Sequence, residues 1–366
     1  MISKTLDVFC KGRQVGTLAE EKNGSVVFAY SDGWLREGFP ISPFFLPLKA
    51  GVQTPRSQFA RSYGLSGIFA DSLPDAWGRL LLDRYLKSIG ITDISRLDRL
   101  AYVGSSGMGA LEYYPEHRAN YSVSGFDYDE IAASCGKVLA EKPVEDLDLL
   151  FRLGGSSGGT RPKILLEEDG RHWIVKFPAA NDPLGSGKRE YEYSLCARDC
   201  GIIITETQLI PSKVCSGYFK TERFDRTADG KVFTATAAGL LEVDFRAPSC
   251  DYSSYMKLIS ILTKENKEQL LQMYRVMCFN VLAHNRDDHA KNFSFLYDDA
   301  AGWQLAPAYD LTYSNTYFGE QTTSVNGKGK NITDGDLIAV GTQAGLRKKL
   351  CTEVLAEIRE KVRKLR

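Results

Sequence analysis

The sequence is poor in histidine, has no long apolar run and carries no excess charge of either sign. Its 366 residues include four His and eight Cys, and no two Cys form a C-x-x-C pair. A structural zinc site needs four convergent ligands. His117, His172, His284 and His289 are scattered away from the thiols, so no structural metal is expected. The closest thiols, Cys196 and Cys200, have helical spacing with no His beside them, and the cysteines read as reduced core residues. Lys plus Arg equals Asp plus Glu at 46 each, so net charge points to neither a nucleic acid nor a membrane surface. No apolar run approaches the roughly 18 residues of a membrane span. The opening residues, Met1 to Asp7, lack the apolar stretch of a secretion signal, and a cytoplasmic location is expected.

What is present suits a folded chain. Hydrophobic residues make up 43% and charged residues 25%, enough apolar material for a large core. At roughly 150 residues per domain the length predicts two or three folding units. Leu6 to Tyr30 alternates apolar and polar residues around Lys11-Gly12 and Asn23-Gly24, the pattern of a small antiparallel sheet. A helix is expected from about Ser72 to Leu86, capped by Asp71 or Ser72, with Trp77, Leu80, Leu81 and Tyr85 as its apolar stripe. The polar stretch from Pro115 to Asp127 reads as a domain boundary. Beyond it come a helix near Tyr128 to Leu139, two strands joined by Asp169-Gly170 as a hairpin, and a helix over Arg189 to Arg198. Strands then follow over Ile202–Leu209, Gly217–Arg223 and Lys231–Thr236. From Tyr252 onward the pattern is helical, with Leu270, Tyr274, Met277 and Val281 on one face, and Asp334 to Arg366 forms a further helical stretch. Sheet-forming sequence thus precedes helix-forming sequence, which predicts a bilobal α+β architecture over alternating βαβ units. The regions are set at 1–115, 116–245 and 246–366.

The strongest local signal is Asn285-Arg286-Asp287-Asp288-His289-Ala290-Lys291-Asn292, after an amphipathic helix and before a strand-like run. Protein kinases use H-R-D-x-x-x-x-N, where Asp takes the substrate hydroxyl proton and Asn holds a magnesium ion. Asp287 and Asn292 keep that spacing, and Asn285 replaces the motif's His. Downstream, Asp310 in Ala308-Tyr309-Asp310 stands where a kinase keeps its main Mg²⁺ ligand, without the usual Phe-Gly after it. Upstream, Trp173-Ile174-Val175-Lys176 has the form of V-A-I-K, whose Lys contacts phosphates and pairs with a helix Glu. Glu190 and Glu192 are both possible partners, and Glu192 is favoured. Before that strand lies Gly154-Gly155-Ser156-Ser157-Gly158-Gly159-Thr160, ahead of Lys163. Glycines there let backbone N–H groups approach phosphate oxygens. Each signal alone has a structural explanation; their order along the chain is that of a kinase.

Together these stretches resemble the HipA family of type II toxin–antitoxin serine/threonine kinases. The resemblance extends over nearly the whole chain. It runs through Phe69-Ala70-Asp71-Ser72-Leu73-Pro74-Asp75, Val103-Gly104-Ser105-Ser106-Gly107-Met108-Gly109, Glu222-Arg223-Phe224-Asp225-Arg226, and Asp288-His289-Ala290-Lys291-Asn292-Phe293-Ser294. It implies a protein-kinase-like fold, with a β-rich amino-terminal lobe, a helical carboxy-terminal lobe and a small N-terminal α/β subdomain. It also implies transfer of the ATP γ-phosphate to Ser or Thr of a protein, an aminoacyl-tRNA synthetase in known cases. By the resemblance Asp287 is the catalytic base, Asn292 and Asp310 are Mg²⁺ ligands, and Lys163 and Lys176 contact phosphates. Ser157, Gly158, Gly159, Thr160, Glu192, His289 and Tyr309 complete the nucleotide site, with the adenine hinge near Ala235 to Leu241. A loop serine, Ser156 or Ser157, is expected to be autophosphorylated. The implied partners are a helix-turn-helix antitoxin and, through that complex, operator DNA; no membrane is implied. Basic residues from Arg347 to Arg366 are expected chiefly to complement a helix end, with an operator contact as the sharper option. The alternatives are a small-molecule kinase on a related fold and a non-catalytic kinase-like binding module.

Overall fold

A computed structural model describes residues 4–117, 125–179, 181–248, 250–316 and 318–365. Most of the expected boundary stretch, from 118 to 124, and Arg366 of the basic tail lie outside the described residues. The chain divides into two compact units. The first comprises Met1–Gly187, Gln208–Ala235 and Gly239–Glu242, and the second Lys188–Thr207, Thr236–Ala238 and Val243–Arg366.

In the first unit, the amino-terminal sequence forms the expected antiparallel sheet. Its strand order is Val52–Gln53, Val26–Tyr30, Arg13–Glu20, Thr5–Cys10, Leu111–Tyr114. Leu6, Val8 and Cys10 face the core while Thr5 and Asp7 face water, the period-two pattern of a half-buried strand. Lys11 and Gly12 both take positive φ, 50° and 75°, which turns the chain tightly enough to pair Cys10 with Arg13.

The first long helix spans Ala76–Ser88 and starts four residues later than expected, with Asp75 at its N-cap position. Ser72 is otherwise engaged: its hydroxyl accepts the Tyr113 hydroxyl at 2.7 Å. The buried stripe is Trp77, Leu81, Leu82 and Leu86, with Leu80 and Tyr85 packed at its margin. This helix shares one core with the helices Tyr128–Leu139 and Leu147–Gly154 and with a second sheet, through Trp77, Val138, Phe151, Ile164, Val175 and Phe177.

That second sheet has the order Lys163–Glu168, Arg171–Lys176, Tyr218–Glu222, Thr207–Ile210. Asp169 and Gly170 form the predicted hairpin turn, with φ of 53° and 72° and Glu168 opposite Arg171. The strand expected from Ile202 begins only at Thr207. Ile202 N–H instead closes the end of the helix Ser186–Asp199 on Ala197 O, and Ile203 N–H donates to Gln272 Oε1.

The second unit is built on the helices Tyr252–Leu262, Lys267–Leu282, Asp334–Gln343 and Lys348–Lys361, with a hairpin of Ser294–Asp298 and Gly302–Leu305. Leu270, Tyr274 and Met277 are fully buried as their spacing predicts, and Val281 is half-buried. The carboxy-terminal stretch is two helices, divided at Gly345 with φ 83°. Of its basic residues, Arg359 pairs with Asp334, Lys361 with Glu357, Arg363 with Glu360 and Lys364 with Asp199. Among the described residues no helix is long and apolar enough to cross a membrane.

Candidate functional site

The hairpin register decides the geometry on the first unit. Lys163 and Lys176 are direct cross-strand partners, so both side chains leave the same face of the sheet. The Lys176 ammonium lies 5.6 Å from the centroid of the Phe219 ring, its neighbour on the next strand. Lys163 is buried, and its ammonium donates to Gly158 O at 2.6 Å.

The glycine-rich loop folds back over this strand pair. Glycine is required where the packing is closest. A Cβ on Gly154 would stand 2.6 Å from Lys163 O, and Gly159 takes φ 83°, a conformation that other side chains rarely adopt. Both loop serines are buried. Ser156 Oγ donates to Ser106 O at 3.1 Å and Ser157 Oγ to Gly154 O at 2.6 Å. Ser106 belongs to the other glycine-rich turn, which Asp225 anchors by accepting Gly109 N–H at 2.6 Å. Burial alone would raise the Asp225 carboxyl, but the guanidiniums of Arg223 and Arg226 overrule it and hold it down at about 2.

On the second unit, the segment after helix Lys267–Leu282 turns sharply at His284, φ 59°. Asp287 projects into solvent, its side chain 63% exposed, with His289 Nε2 4.0 Å from its carboxylate. Asn292 closes the loop by donating its amide N–H to Asp287 O at 2.6 Å. Asp288 points the opposite way and is wholly buried. Its carboxylate accepts from Tyr252 Oη at 2.7 Å, Gln321 Nε2 at 2.9 Å and Thr323 N–H at 3.0 Å. Burial among these neutral donors raises its pKa to about 7.

The 309–314 segment runs beside this loop. Tyr309 Oη contacts Ser294 Oγ at 2.6 Å and donates to Lys291 O at 2.5 Å. Asp310 sits at φ 53°, a left-handed conformation that Asp tolerates better than most side chains. Its carbonyl accepts from Asn285 Nδ2 at 3.4 Å. Asn292, Ser294 and Tyr309 line a cavity of about 290 Å³ within this unit. Asn285 Oδ1 and His289 Nδ1 are buried with no hydrogen-bond partner among the described residues.

Residues 155–365 match the family model of the HipA-like C-terminal domain, and residues 6–114 that of the HipA N-terminal domain. The chain belongs to the HipA family. Two relatives from Sinorhizobium fredii bear the names "Putative kinase Y4mE" and "Putative kinase Y4dM". The first is 26% identical, covering 94% of this chain and 85% of its own. The second is also 26% identical, covering 98% and 90%. Among solved structures, the HipA of Shewanella oneidensis, determined with HipB and operator DNA, superposes with a TM-score of 0.73 at 18% identity. It covers 98% of this chain and 89% of that one. The mixed α and β architecture is therefore the kinase-like HipA fold.

In this chain the residues singled out from sequence fall into two groups. Ser156 to Thr160, Lys163 and Lys176 come together on the first unit, and Asp287, His289, Asn292, Tyr309 and Asp310 lie on neighbouring segments of the second. On helix Ser186–Asp199, Glu190 is buried, whereas Glu192 is 52% exposed and lies 3.8 Å from Lys188. The segment Ala235 to Leu241 ends in a short helix, Ala237–Leu241. Sequence reasoning missed Asp75, Trp77 and Ser106, which hold the glycine-rich loop, and Asp288, Tyr252 and Gln321, which hold the Asp287 loop. It also missed Phe245, whose ring packs on His289 and under the Lys291 ammonium. Asp75, Ser106 and Asp288 each stand in a string that carries the family resemblance, and Trp77 in the predicted helix stripe, but those strings do not give their contacts.

Proposed function

We propose that this chain is the toxin of a type II toxin–antitoxin module and acts as a Mg²⁺-ATP-dependent protein serine/threonine kinase. The observation that carries the proposal is the cross-strand pair Lys163 and Lys176 beneath a glycine-rich loop, in a chain of the HipA family. Two ammonium groups on one sheet face, under a loop rich in backbone N–H groups, match the charge and geometry of a polyphosphate.

Each side chain then has a task. Lys163 and Lys176 neutralise ATP phosphates, while Ser157, Gly158, Gly159 and Thr160 form the loop that covers them. Glu192, His289 and Tyr309 complete the nucleotide site. Asp287 accepts the proton of the incoming Ser or Thr hydroxyl, and its exposure lets a protein substrate reach it. Asn292 and Asp310 would hold Mg²⁺. The fit is chemical: both offer hard oxygen donors, and the Asn292 amide nitrogen is already committed to Asp287 O, which leaves its oxygen for an ion. Bound there, Mg²⁺ supplies positive charge to the phosphate oxygens.

Ser156 or Ser157 is the autophosphorylation site. Both hydroxyls are buried on carbonyls, so a phosphate of about −1.5 to −2 charge cannot be accommodated with the loop in this position. A helix-turn-helix antitoxin would hold the toxin and carry operator DNA; the Shewanella structure contains HipA, HipB and operator DNA. The substrate would be an aminoacyl-tRNA synthetase in the cytoplasm.

The test is phosphate transfer from radiolabelled ATP to protein, in purified form and in lysate, for the native chain and Asp287→Asn. Label on the loop serines and on one lysate protein, reduced about 100-fold or more in the variant, is the expected result. Equal labelling in the variant removes Asp287 as the base. Label confined to a small molecule replaces the protein substrate, and absence of both label and nucleotide-dependent stabilisation leaves a binding module.

A further inference from the structure

The Leu73-Pro74-Asp75 turn belongs, by sequence, to the amino-terminal region, and no part of the proposed chemistry uses it. Its contacts lie elsewhere. Asp75 stands at the N-cap position of helix Ala76–Ser88 but makes no side-chain capping bond to that helix, forgoing the usual use of an N-cap aspartate. Its Oδ2 accepts Gly159 N–H at 2.9 Å. The next contact runs the other way. Trp77 N–H, one of the donors a helix start leaves without an internal partner, donates to Gly159 O at 3.3 Å. The Trp77 indole N–H then donates to Lys163 O at 3.1 Å. At Gly78 a Cβ would stand 2.6 Å from Ser157 O and 3.1 Å from Gly155 O, so the helix backbone itself lies against the loop.

Helix and loop therefore cap each other. The loop carbonyl at Gly159 satisfies a helix-start donor, and the helix-cap carboxylate satisfies the loop amide of the same glycine. Trp77, 1% exposed, fixes the strand at Lys163, the first lysine of the cross-strand pair. Asp75, Trp77 and Gly78 all bear on the loop or on the strand that follows it, from far away in the sequence.

We propose that Asp75 and Trp77 are positioning residues for the nucleotide loop: Asp75 sets the conformation at Gly159, and Trp77 sets the place of Lys163. This rests on the proposal that the loop binds ATP phosphates. Neither residue needs to touch the nucleotide. Through Oδ2 Asp75 supplies an acceptor to Gly159 N–H, which Asp75→Asn can keep and Asp75→Ala loses.

Two measurements test this on the full chain. The first is amide hydrogen exchange of the 155–163 segment without nucleotide. Asp75→Ala should raise exchange there roughly tenfold, the loss expected for one hydrogen bond of ordinary strength, while Asp75→Asn stays within about twofold of the native chain. The second is a steady-state assay with ATP varied. KM for ATP should rise about fivefold or more in Asp75→Ala with kcat changed less than about twofold, and should recover in Asp75→Asn. Trp77→Phe, which keeps the aromatic packing and removes only the indole donor, should show the same KM effect in smaller degree. Unchanged loop exchange in both Asp75→Ala and Trp77→Phe overturns the proposal. A lower KM in Asp75→Ala also overturns it, since the carboxylate would then compete with phosphate. If the native chain turns over no ATP, the kinase proposal falls, and the exchange measurement still decides whether Asp75 positions the loop.

Discussion

Two aspartates, one in each unit, are wholly buried and each anchors a loop, but their surroundings are opposite in kind. Asp225 is ringed by cations. Arg223 reaches it through Nε at 2.9 Å and Nη2 at 2.8 Å, Arg226 through Nη1 at 2.9 Å, and both guanidiniums also bond Gly107 O. Among the described residues, Asp288 accepts from neutral donors: a phenol, an amide side chain and a backbone N–H. The first carboxyl therefore stays ionised down to about 2, and the second titrates near 7. A buried carboxylate can be held by charge or by hydrogen bonds alone, and only the second choice leaves the anchor sensitive to pH in the physiological range.

The largest test of this contrast is Asp225→Ala, which leaves two guanidiniums facing each other without a counter-charge. The expected loss is about 3–5 kcal/mol, read by urea unfolding. A loss below about 1 kcal/mol would mean that the arginines escape to water and that the triad is not an anchor. Asp288→Asn should cost less, about 1–3 kcal/mol, because no charged partner is stranded, yet it should change the pH profile more. With 3.8 as the ordinary aspartate value and about 7 in the fold, the unfolded chain loses this proton first. The contribution of Asp288 to stability is thus full below about pH 4 and is lost as pH rises through 7. Asp225 behaves in reverse: its contribution is present above pH 4 and is lost as pH falls towards 2. Melting temperatures between pH 4 and 7 should show a slope in the native chain that Asp288→Asn flattens. Smallest is Tyr252→Phe, at about 1 kcal/mol. Since the Tyr252 hydroxyl bond lowers the Asp288 pKa, its removal should move the midpoint of that slope to higher pH.

The same contrast explains what could be read from sequence. The Asp-Gly turn gave the hairpin, and the hairpin fixed Lys163 opposite Lys176. The Asp287 to Asn292 spacing located a loop that a bond across those same positions closes. These features are local, and local spacing carries them. Asp75 acts 84 positions away on Gly159, and Asp225 acts 116 positions away on Gly109; no periodicity encodes such a pairing. Asp288 was invisible for another reason. It adjoins Asp287 and is chemically identical to it, and only the packing shows that one faces water and the other the core. The start of helix Ala76–Ser88 was misjudged because Ser72, a good cap by type, is bonded to Tyr113, a residue on a distant strand.

The register of the strand pair Lys163–Glu168 and Arg171–Lys176 has one more consequence. Side chains alternate faces along a strand, so adding or deleting one residue in either arm would send one lysine through to the far side of the sheet. The hairpin is in effect a ruler of fixed length. Natural variation in this stretch should therefore change residue types freely while sparing the count of residues in each arm, and any lengthening should be confined to the tip at Asp169 and Gly170.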